Sequence, residues 1–285
     1  MPLDPSKIVL CWPNLIDDAT LSVASPHWSD EQPLSLVQRR ELAEQARLYD
    51  SGDAITIELG TPRPIGVVAL AAHNLSASAQ YRVIIGSGPN GTVTWDSGVR
   101  NVWPAVYATA ELEWEYDNFW AGTMDADADF TPLMTVFIDE VQVTSYIRVA
   151  FDDPANPDGY IEIGRMFIGD AWQPEFNASY GITHGYDDTT EVTEAGDRTE
   201  YFDLKRRRRT ATLSLDHLSE QEAFTRLYSL QRTVGIAGEL LYAFSPAPSP
   251  ENFARTFLAR QQQIDALSHP YHATHSGSLS LLEIL

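Results

Sequence analysis

The sequence predicts an all-β chain of two domains, and three observations support this prediction. Short stretches of alternating apolar and polar residues recur about every ten residues, separated by glycine, proline and asparagine, as in β-sandwiches. Nothing between these stretches has the pattern of the crossover helices that parallel strands need. Residues 1–172 carry 25 acidic and 9 basic side chains, whereas residues 173–285 carry 15 and 10, so the two parts have different surfaces.

The composition argues against several classes of protein. Of the 285 residues, 44% are hydrophobic and 21% charged, and no apolar run approaches the roughly 20 residues of a membrane helix. An acidic residue and three prolines near the start lead us to expect no export signal. The single cysteine, Cys11, allows neither an internal disulfide nor a zinc cluster. A net charge of −21 disfavours sequence-specific binding of nucleic acid.

Residues 1–50 are predicted to form an N-terminal arm that lies on other surfaces. The segment contains five prolines and little alternation. Within it, residues 34–49 are rich in helix formers, and Leu34, Val37, Glu41 and Leu42 are loosely spaced at three and four residues. We therefore expect one short helix there.

Residues 51–172 are predicted to form a β-sandwich. Residues 54–59 alternate, with Ile55, Ile57 and Leu59 on one face, and the glycine and prolines of residues 60–64 should end this strand. Further strands are predicted over residues 65–72, 80–86, 92–96, 133–138, 145–151 and 160–168. Residues 101–132 interrupt the series as a long excursion that is rich in aromatic and acidic side chains.

Residues 173–285 are predicted to form a smaller β domain with one helix. After an acidic loop at residues 187–198, a long strand is expected over residues 200–215. Ser219 and Glu222 have the spacing of a capping box and predict a helix over residues 219–234. Strands over residues 239–244, 256–266 and 277–285 complete the domain, with the proline-rich residues 245–252 as a loop.

The first of these domains resembles discoidin modules, which are galactose-binding-like β-sandwiches. The resemblance lies in a strand that ends in Leu-Gly, a following strand of the form IxxVxL, and two late strands containing YIRV and IEIGRMFIG. The positions that carry it are Ile55, Ile57, Leu59, Gly60, Ile65, Val68, Leu70, Tyr146, Ile147, Arg148, Val149, Ile163, Gly164 and Phe167.

With these motifs the chain also resembles tail-tip (distal tail or baseplate) proteins of long-tailed bacteriophages. Residues 173–285 are similar to their tube-like or belt domain in the order of long strand, capped helix and further strands. The resemblance implies a non-enzymatic structural subunit without cofactor. Its copies would form a ring that continues the tail tube and docks hub, fibre or adhesion proteins, with six-fold symmetry favoured and three-fold symmetry as the alternative. Such a protein is assembled in the bacterial host cytoplasm, becomes part of the virion and does not insert into membranes.

The sequence contains none of the common enzyme motifs. The nucleophile elbow, the phosphate loop, the dinucleotide fingerprint and the zinc-protease helix are all missing. A glycosidase pair such as Glu113 with Asp117 can be chosen, but two carboxyls about 5 to 9.5 Å apart arise by chance in any acidic loop. We therefore favour a solvated loop and expect no enzyme.

Three alternating aspartates, Asp125, Asp127 and Asp129, match the first ligand positions of a calcium loop. The sixth position is Phe130 rather than glycine and the twelfth is Val136 rather than glutamate, so the EF-hand pattern fails. A single structural calcium remains an alternative to a hydrated loop, because discoidin-like folds often hold one.

His269, His272 and His275 form a second candidate metal group. On a strand only the first and last of them share a face, and Pro270 prevents a helix that would gather all three. An exposed turn between the last two strands is therefore favoured over a metal site.

The aromatic excursion is the most promising contact surface in the sequence. Aromatic rings stack on sugars, but they more often lie in protein interfaces or cores. We therefore favour a protein interface, with a carbohydrate-binding module for host surface glycans as the alternative. The residues concerned are Trp114, Tyr116, Phe119 and Trp120.

Five consecutive cations occupy positions 205–209, and we call them the cationic run. On an extended strand they would project to both faces, so we expect neither face to pack into a core. The favoured partner is an acidic surface of a neighbouring subunit. A nucleic-acid patch and a solvated hairpin are the alternatives. The run comprises Lys205, Arg206, Arg207, Arg208 and Arg209.

Overall fold

The computed structural model describes residues 2–23, 28–49, 54–89, 91–103 and 131–285 and confirms the all-β class. The strands before residue 174 are β1 (Val9–Cys11), β2 (Thr20–Val23), β3 (Ala46–Leu48), β4 (Ala54–His73), β5 (Gln80–Gly86), β6 (Val93–Asp96), β7 (Arg100–Asn101), β8 (Leu133–Asp152), β9 (Ile161–Gly169) and β10 (Ala171–Trp172). The later strands are β11 (Thr183–Asp187), β12 (Glu191–Glu194), β13 (Glu200–Asp203), β14 (Arg208–Leu218), β15 (Leu240–Ala243), β16 (Thr256–Ile264), β17 (Ser268–Tyr271) and β18 (Thr274–Glu283).

Helical structure in the described residues is limited to short segments. Two 3₁₀ helices cover Ile16–Asp18 and Leu34–Gln38. One continuous helical segment consists of α1 (Glu220–Glu222), a π-helical turn (Ala223–Leu227) and α2 (Tyr228–Thr233). The last helix is α3 (Pro250–Ala254).

The chain divides into two compact units. The first unit contains Met1–Gln173 and Leu240–Thr256, and the second contains Pro174–Glu239 and Phe257–Leu285. The predicted ranges 51–172 and 173–285 differ from these units mainly in residues 1–50 and 240–256, which belong to the first unit.

The first unit is built around the pairing of β4 with β8. Their ladder runs from Ala54↔Ala150 to Ala71↔Leu133, and the register shifts between Glu58 and Arg63. Before the shift β4 also pairs with β2, and after it with β9. The two long strands therefore contribute to both layers of the sandwich, as strands do at the corners of packed sheets.

The predicted strand end at residues 60–64 is wrong, because β4 continues through it. Residues 59–62 have no partner across the ladder to β8, so Pro62 removes no hydrogen bond there. β8 is likewise one strand where two were expected. A second register shift, between Ile65 and Val67 of β4, leaves residues 138–141 of β8 without ladder partners but does not end the strand.

The core of the first unit consists of aliphatic side chains from both halves of β4 and β8. Ile55 and Ile57 precede the register shift and Val68 and Leu70 follow it, yet all four belong to one buried cluster. Arg165 of β9 is also fully buried, and its guanidinium lies 2.6 Å from the carboxylate of Asp17. That pairing provides the partner that a buried charge requires.

The predicted helix over residues 34–49 is wrong except for its first turn. The 3₁₀ helix ends at Gln38, and residues 46–48 form β3, which pairs with β9 through Ala46↔Ile163 and Leu48↔Ile161. Ala46 and Leu48 are both buried. Strand pairing and burial therefore override the helical propensity of this segment.

The second unit contains a sheet in the order β16-β18-β14-β11, with β17 on β18. The predicted helix after Ser219 is confirmed, including both hydrogen bonds of the capping box with Glu222. The long strand predicted over residues 200–215 is instead two strands, β13 and β14, separated by residues 204–207. β12 lies within the predicted loop 187–198 and pairs with β13.

The segment 245–252 of the first unit was predicted as a loop, but its end begins α3. Ser249 caps this helix by accepting a hydrogen bond from the backbone N–H of Asn252, and Pro250 occupies the first turn. Proline suits that position because the first N–H groups of a helix have no partner within the helix.

His73, at the end of β4, is a buried neutral group in the first unit. Its Nδ1 accepts a hydrogen bond from the backbone N–H of Leu75, while Nε2 has no partner among the described residues. The Trp103 ring lies against it with centroids 5.5 Å apart. Burial lowers the pKa of His73 from 6.5 to about 3.

Since unfolded His73 binds a proton near pH 6.5 and the folded form resists it down to about pH 3, acid should destabilise the fold. The contribution of His73 is fully present above pH 6.5 and should fall by at most about 1.4 kcal/mol per pH unit below it. Urea unfolding at pH 7, 5.5 and 4.5 tests this on wild type and His73→Gln. The stability difference between them should shrink as the pH falls. A constant difference for His73→Gln would contradict the prediction.

Candidate functional site

The second unit carries an acidic hairpin formed by β12, β13 and their turn, residues 191–203. The two strands pair only with each other in the described part of the chain, from Glu191↔Asp203 to Glu194↔Glu200. All eight strand residues are exposed. Because a two-stranded hairpin in water is marginally stable on its own, this element presents its side chains without support from a core.

The cationic run follows the hairpin directly and bonds to acidic residues of the same unit. Lys205 lies 3.0 Å from Glu191 and 3.4 Å from Asp203. Hydrogen bonds from Thr190, together with Arg207 at 3.0 Å, lower the pKa of the Asp188 carboxyl to about 2. Lys205 therefore links the first residue of the hairpin to the last at its base.

The last two arginines of the run belong to β14, and Arg209 overturns the expectation that the run cannot be buried. Arg208 pairs with Asp187 at 2.6 Å. Arg209 is only 4% exposed, lies 2.6 Å from the Glu283 carboxylate and has its guanidinium 5.2 Å from the Phe257 ring centroid. The carboxylate of β18 makes this burial tolerable, which no pattern in residues 205–209 could reveal.

The helical segment α1–α2 also presents an exposed surface, and this one is apolar. Its inner side buries Ala223, Leu227 and Leu230. On its outer side the rings of Phe224 and Tyr228, four residues apart, lie 5.9 Å from each other and are about half exposed. We call this pair the helix aromatic pair.

The second unit exposes more large hydrophobic side chains than the first, at these two surfaces and elsewhere. Eighteen large hydrophobic side chains are exposed in the described residues, and thirteen of them lie in the second unit although it is the smaller one. Those thirteen are Phe176, Tyr180, Tyr186, Val192, Tyr201, Phe202, Leu204, Phe224, Tyr228, Ile236, Ile264, Tyr271 and Leu285. Exposed apolar side chains at this density are typical of surfaces that other molecules cover.

Two clefts of the first unit offer few free polar groups. In one, of about 100 Å³, Ser245 donates to the Pro5 carbonyl and Ser249 accepts from the Asn252 backbone. In another, of about 160 Å³, the Asp153 carboxylate accepts hydrogen bonds from Ser76 and Asn156. These side chains hold loops together, and neither cleft has the unpaired acid or nucleophile that catalysis needs.

The remaining predicted site residues are either outside the described part or do not converge. Residues 104–130 are not described, which leaves Glu113, Asp117, Asp125, Asp127 and Asp129 and the aromatic candidates Trp114, Tyr116, Phe119 and Trp120 as predictions.

The histidine group does not form a metal site in the structure. The rings of His269 and His275 stack in parallel, with centroids 4.4 Å apart, in the β17–β18 hairpin, and His272 lies exposed in its turn. Among the described residues, no three side chains of the metal-binding types come together. Within the same residues, no helix is long and apolar enough to span a bilayer.

No protein-family model matches the chain, and no curated protein matches its sequence. Solved structures that are similar to it include carbohydrate-binding modules. A CBM32 module of a family 31 glycoside hydrolase from Clostridium perfringens has 9% identity and a TM-score of 0.38 over 55% of this chain and 97% of that one. The family 32 module of C. perfringens NanJ, solved with galactose, has 13% identity and a TM-score of 0.37 over 57% and 99%. The module of Streptococcus pneumoniae EndoD has 11% identity and a TM-score of 0.38 over 55% and 99%. Similarity at this level carries no conclusion about function.

Replacing Arg209 by alanine should leave Glu283 buried without its partner and cost about 3 to 5 kcal/mol of unfolding free energy. Replacing both residues, by Arg209→Met with Glu283→Leu, should recover most of that loss because no buried charge remains. Arg207→Ala, at an exposed pair, should change stability by at most about 1 kcal/mol. Urea denaturation of the three variants tests this, and a small loss for Arg209→Ala would show that the pair is not effectively buried.

Proposed function

We propose that this protein is a non-enzymatic structural subunit that assembles with other proteins through its second unit. The observation that carries the proposal is the exposure of large apolar side chains on that unit, at the acidic hairpin and at the helix aromatic pair. In a monomer such groups remain in contact with water, whereas an interface would bury them and gain about 25 cal/mol per Å² of apolar surface.

The non-enzymatic part of the proposal is supported by both the sequence and the clefts. The full sequence lacks the common catalytic motifs. The polar side chains of the two clefts described above are bonded to loops of their own unit. A structural role needs neither a nucleophile nor a cofactor.

The assembly we propose is the tail tip of a long-tailed bacteriophage, and this part rests on the sequence resemblance described above. Copies of the second unit would form a ring that continues the tail tube, and the ring would dock hub, fibre or adhesion proteins. A closed ring requires a heterologous interface, in which one surface of each copy meets a different surface of the next. The protein would be assembled in the bacterial host cytoplasm and act in the virion.

Electron microscopy and sedimentation of the purified protein test the ring directly. We expect closed rings of defined mass, and Phe224→Ser with Tyr228→Ser should weaken them while lowering monomer stability by about 1 kcal/mol or less, because both side chains are about half exposed. Val93→Ser with Val99→Ser is the matched control, since both valines are similarly exposed but lie in the first unit. A monomer at all concentrations would argue against self-assembly.

Glycan binding is the second candidate function, and the composition of residues 107–120 favours it. This segment alternates aromatic rings, which stack on sugars, with carboxylates, which accept hydrogen bonds from hydroxyls. On this hypothesis the protein binds host surface glycans on an array, and Trp114→Ala with Trp120→Ala abolishes binding. Absence of binding by the wild type, with intact ring assembly, would leave the structural function alone. A loss of about 3 to 5 kcal/mol of stability per substitution would instead place these rings in a core.

A further inference from the structure

The acidic hairpin contains two cross-strand pairs of like charge, and only one of them is neutralised. Glu191 lies opposite Asp203, and the Lys205 ammonium lies within 3.4 Å of both. Glu194 lies opposite Glu200, and no cation pairs with either carboxylate in the described part of the chain. Like charges directly opposite each other destabilise a strand pair, so this end of the hairpin would be stabilised by a cation from outside.

The cationic run contains an arginine whose positive charge could pair with these carboxylates. Lys205, Arg207, Arg208 and Arg209 all have carboxylate partners within their own unit. Arg206 is exposed and has no ion-pair partner among the described residues. Among the described residues, each copy of the chain therefore carries an exposed cation of the run, Arg206, without an ion pair, and one cross-strand pair of carboxylates without a cation, at different places on the same unit.

Apolar side chains accompany the unpaired carboxylates. Val192 is directly opposite Phe202, and side chains two residues apart share a face, so Val192, Phe202, Glu194 and Glu200 all lie on one face of the hairpin. Val192 is 56% and Phe202 57% exposed. This face combines an apolar centre with an acidic edge, which is the composition of a protein interface with a charged rim.

We propose that this face binds a second copy of the same chain, with Arg206 of one copy between Glu194 and Glu200 of the next. The contact would bury Val192 and Phe202 and place the Arg206 cation between the two carboxylates, which reduces their mutual repulsion. It joins two different surfaces, so it is heterologous and can be repeated around a ring. The inference rests on the proposed self-assembly and adds to it the residues that meet.

Arg206→Glu tests the contact in the full chain, with Arg63→Glu as a matched control. Arg63 is an exposed arginine of the first unit, outside the surfaces proposed for assembly, and the two variants have the same net charge. Arg206→Glu should raise the dissociation constant of the assembly about tenfold or more, because it places a third negative charge beside two others. The control should assemble like the wild type. Sedimentation velocity over a concentration series measures both, and thermal unfolding verifies that each variant folds.

A charge inversion separates a specific contact from a general effect of charge. Glu194→Arg with Glu200→Arg should also disrupt assembly, and adding Arg206→Glu to that pair should restore it, since the same contact is then made with opposite signs. If Arg206→Glu alone assembles normally, or if the triple variant is not restored, the proposed contact is wrong while self-assembly through another surface stands. If the wild type itself remains monomeric, self-assembly is wrong as well, and the contact falls with it.

Discussion

The ladder between β4 and β8 is the constraint on which the first unit depends. Each strand is 20 residues long, and each continues past a register shift at which several residues lose their partners. Before the shift β4 pairs with β2 and after it with β9, while β8 pairs with β5 at one end. The two strands therefore bring both layers together, and the aliphatic cluster between the layers includes residues from both halves of each strand. The bulged residues are what allow one strand to serve two layers, because they interrupt the ladder without ending it.

The second unit depends on a different interaction, the buried pair of Arg209 and Glu283 beside Phe257. It connects the end of the cationic run to the sheet, since the Glu283 carboxylate also accepts the backbone N–H of Arg209. Arg207 and Arg208 then pair with Asp188 and Asp187 on the other side of the hairpin base. The base is thus held by charges whereas the strands beyond it are exposed, an arrangement suited to an element that gains its remaining contacts from another molecule.

Alternation and capping signals were sufficient to predict the class of fold and the helix after Ser219, because those signals are local. Ser219 and Glu222 are three residues apart, and Ile55 and Ile57 alternate within a single strand. The errors concern features set by distant residues. The strand at residues 46–48 exists because β9 pairs with it, and the burial of Arg209 depends on a glutamate 74 residues away. The exposed hairpin face and the unpaired Arg206 depend on register and on ion pairs, which the sequence alone does not determine.

The distribution of charge bears on which surface can join identical copies. The protein has a net charge of −21, so any contact between copies must overcome repulsion. Residues 1–172 have a net charge of −16, and residues 173–285 have a net charge of −5. Residues 240–256 belong to the first unit, but this does not alter either net charge, because the charges of Glu251 and Arg255 cancel. Repulsion between exposed charges is largely screened beyond about 8 Å at physiological salt, so the charges close to a contact decide its sign. The second unit has the lower net charge, nine cations against fourteen carboxylates, and most of the exposed apolar side chains. A contact made there can pair opposite charges while burying apolar surface, whereas a contact between first units would bring strongly acidic surfaces together.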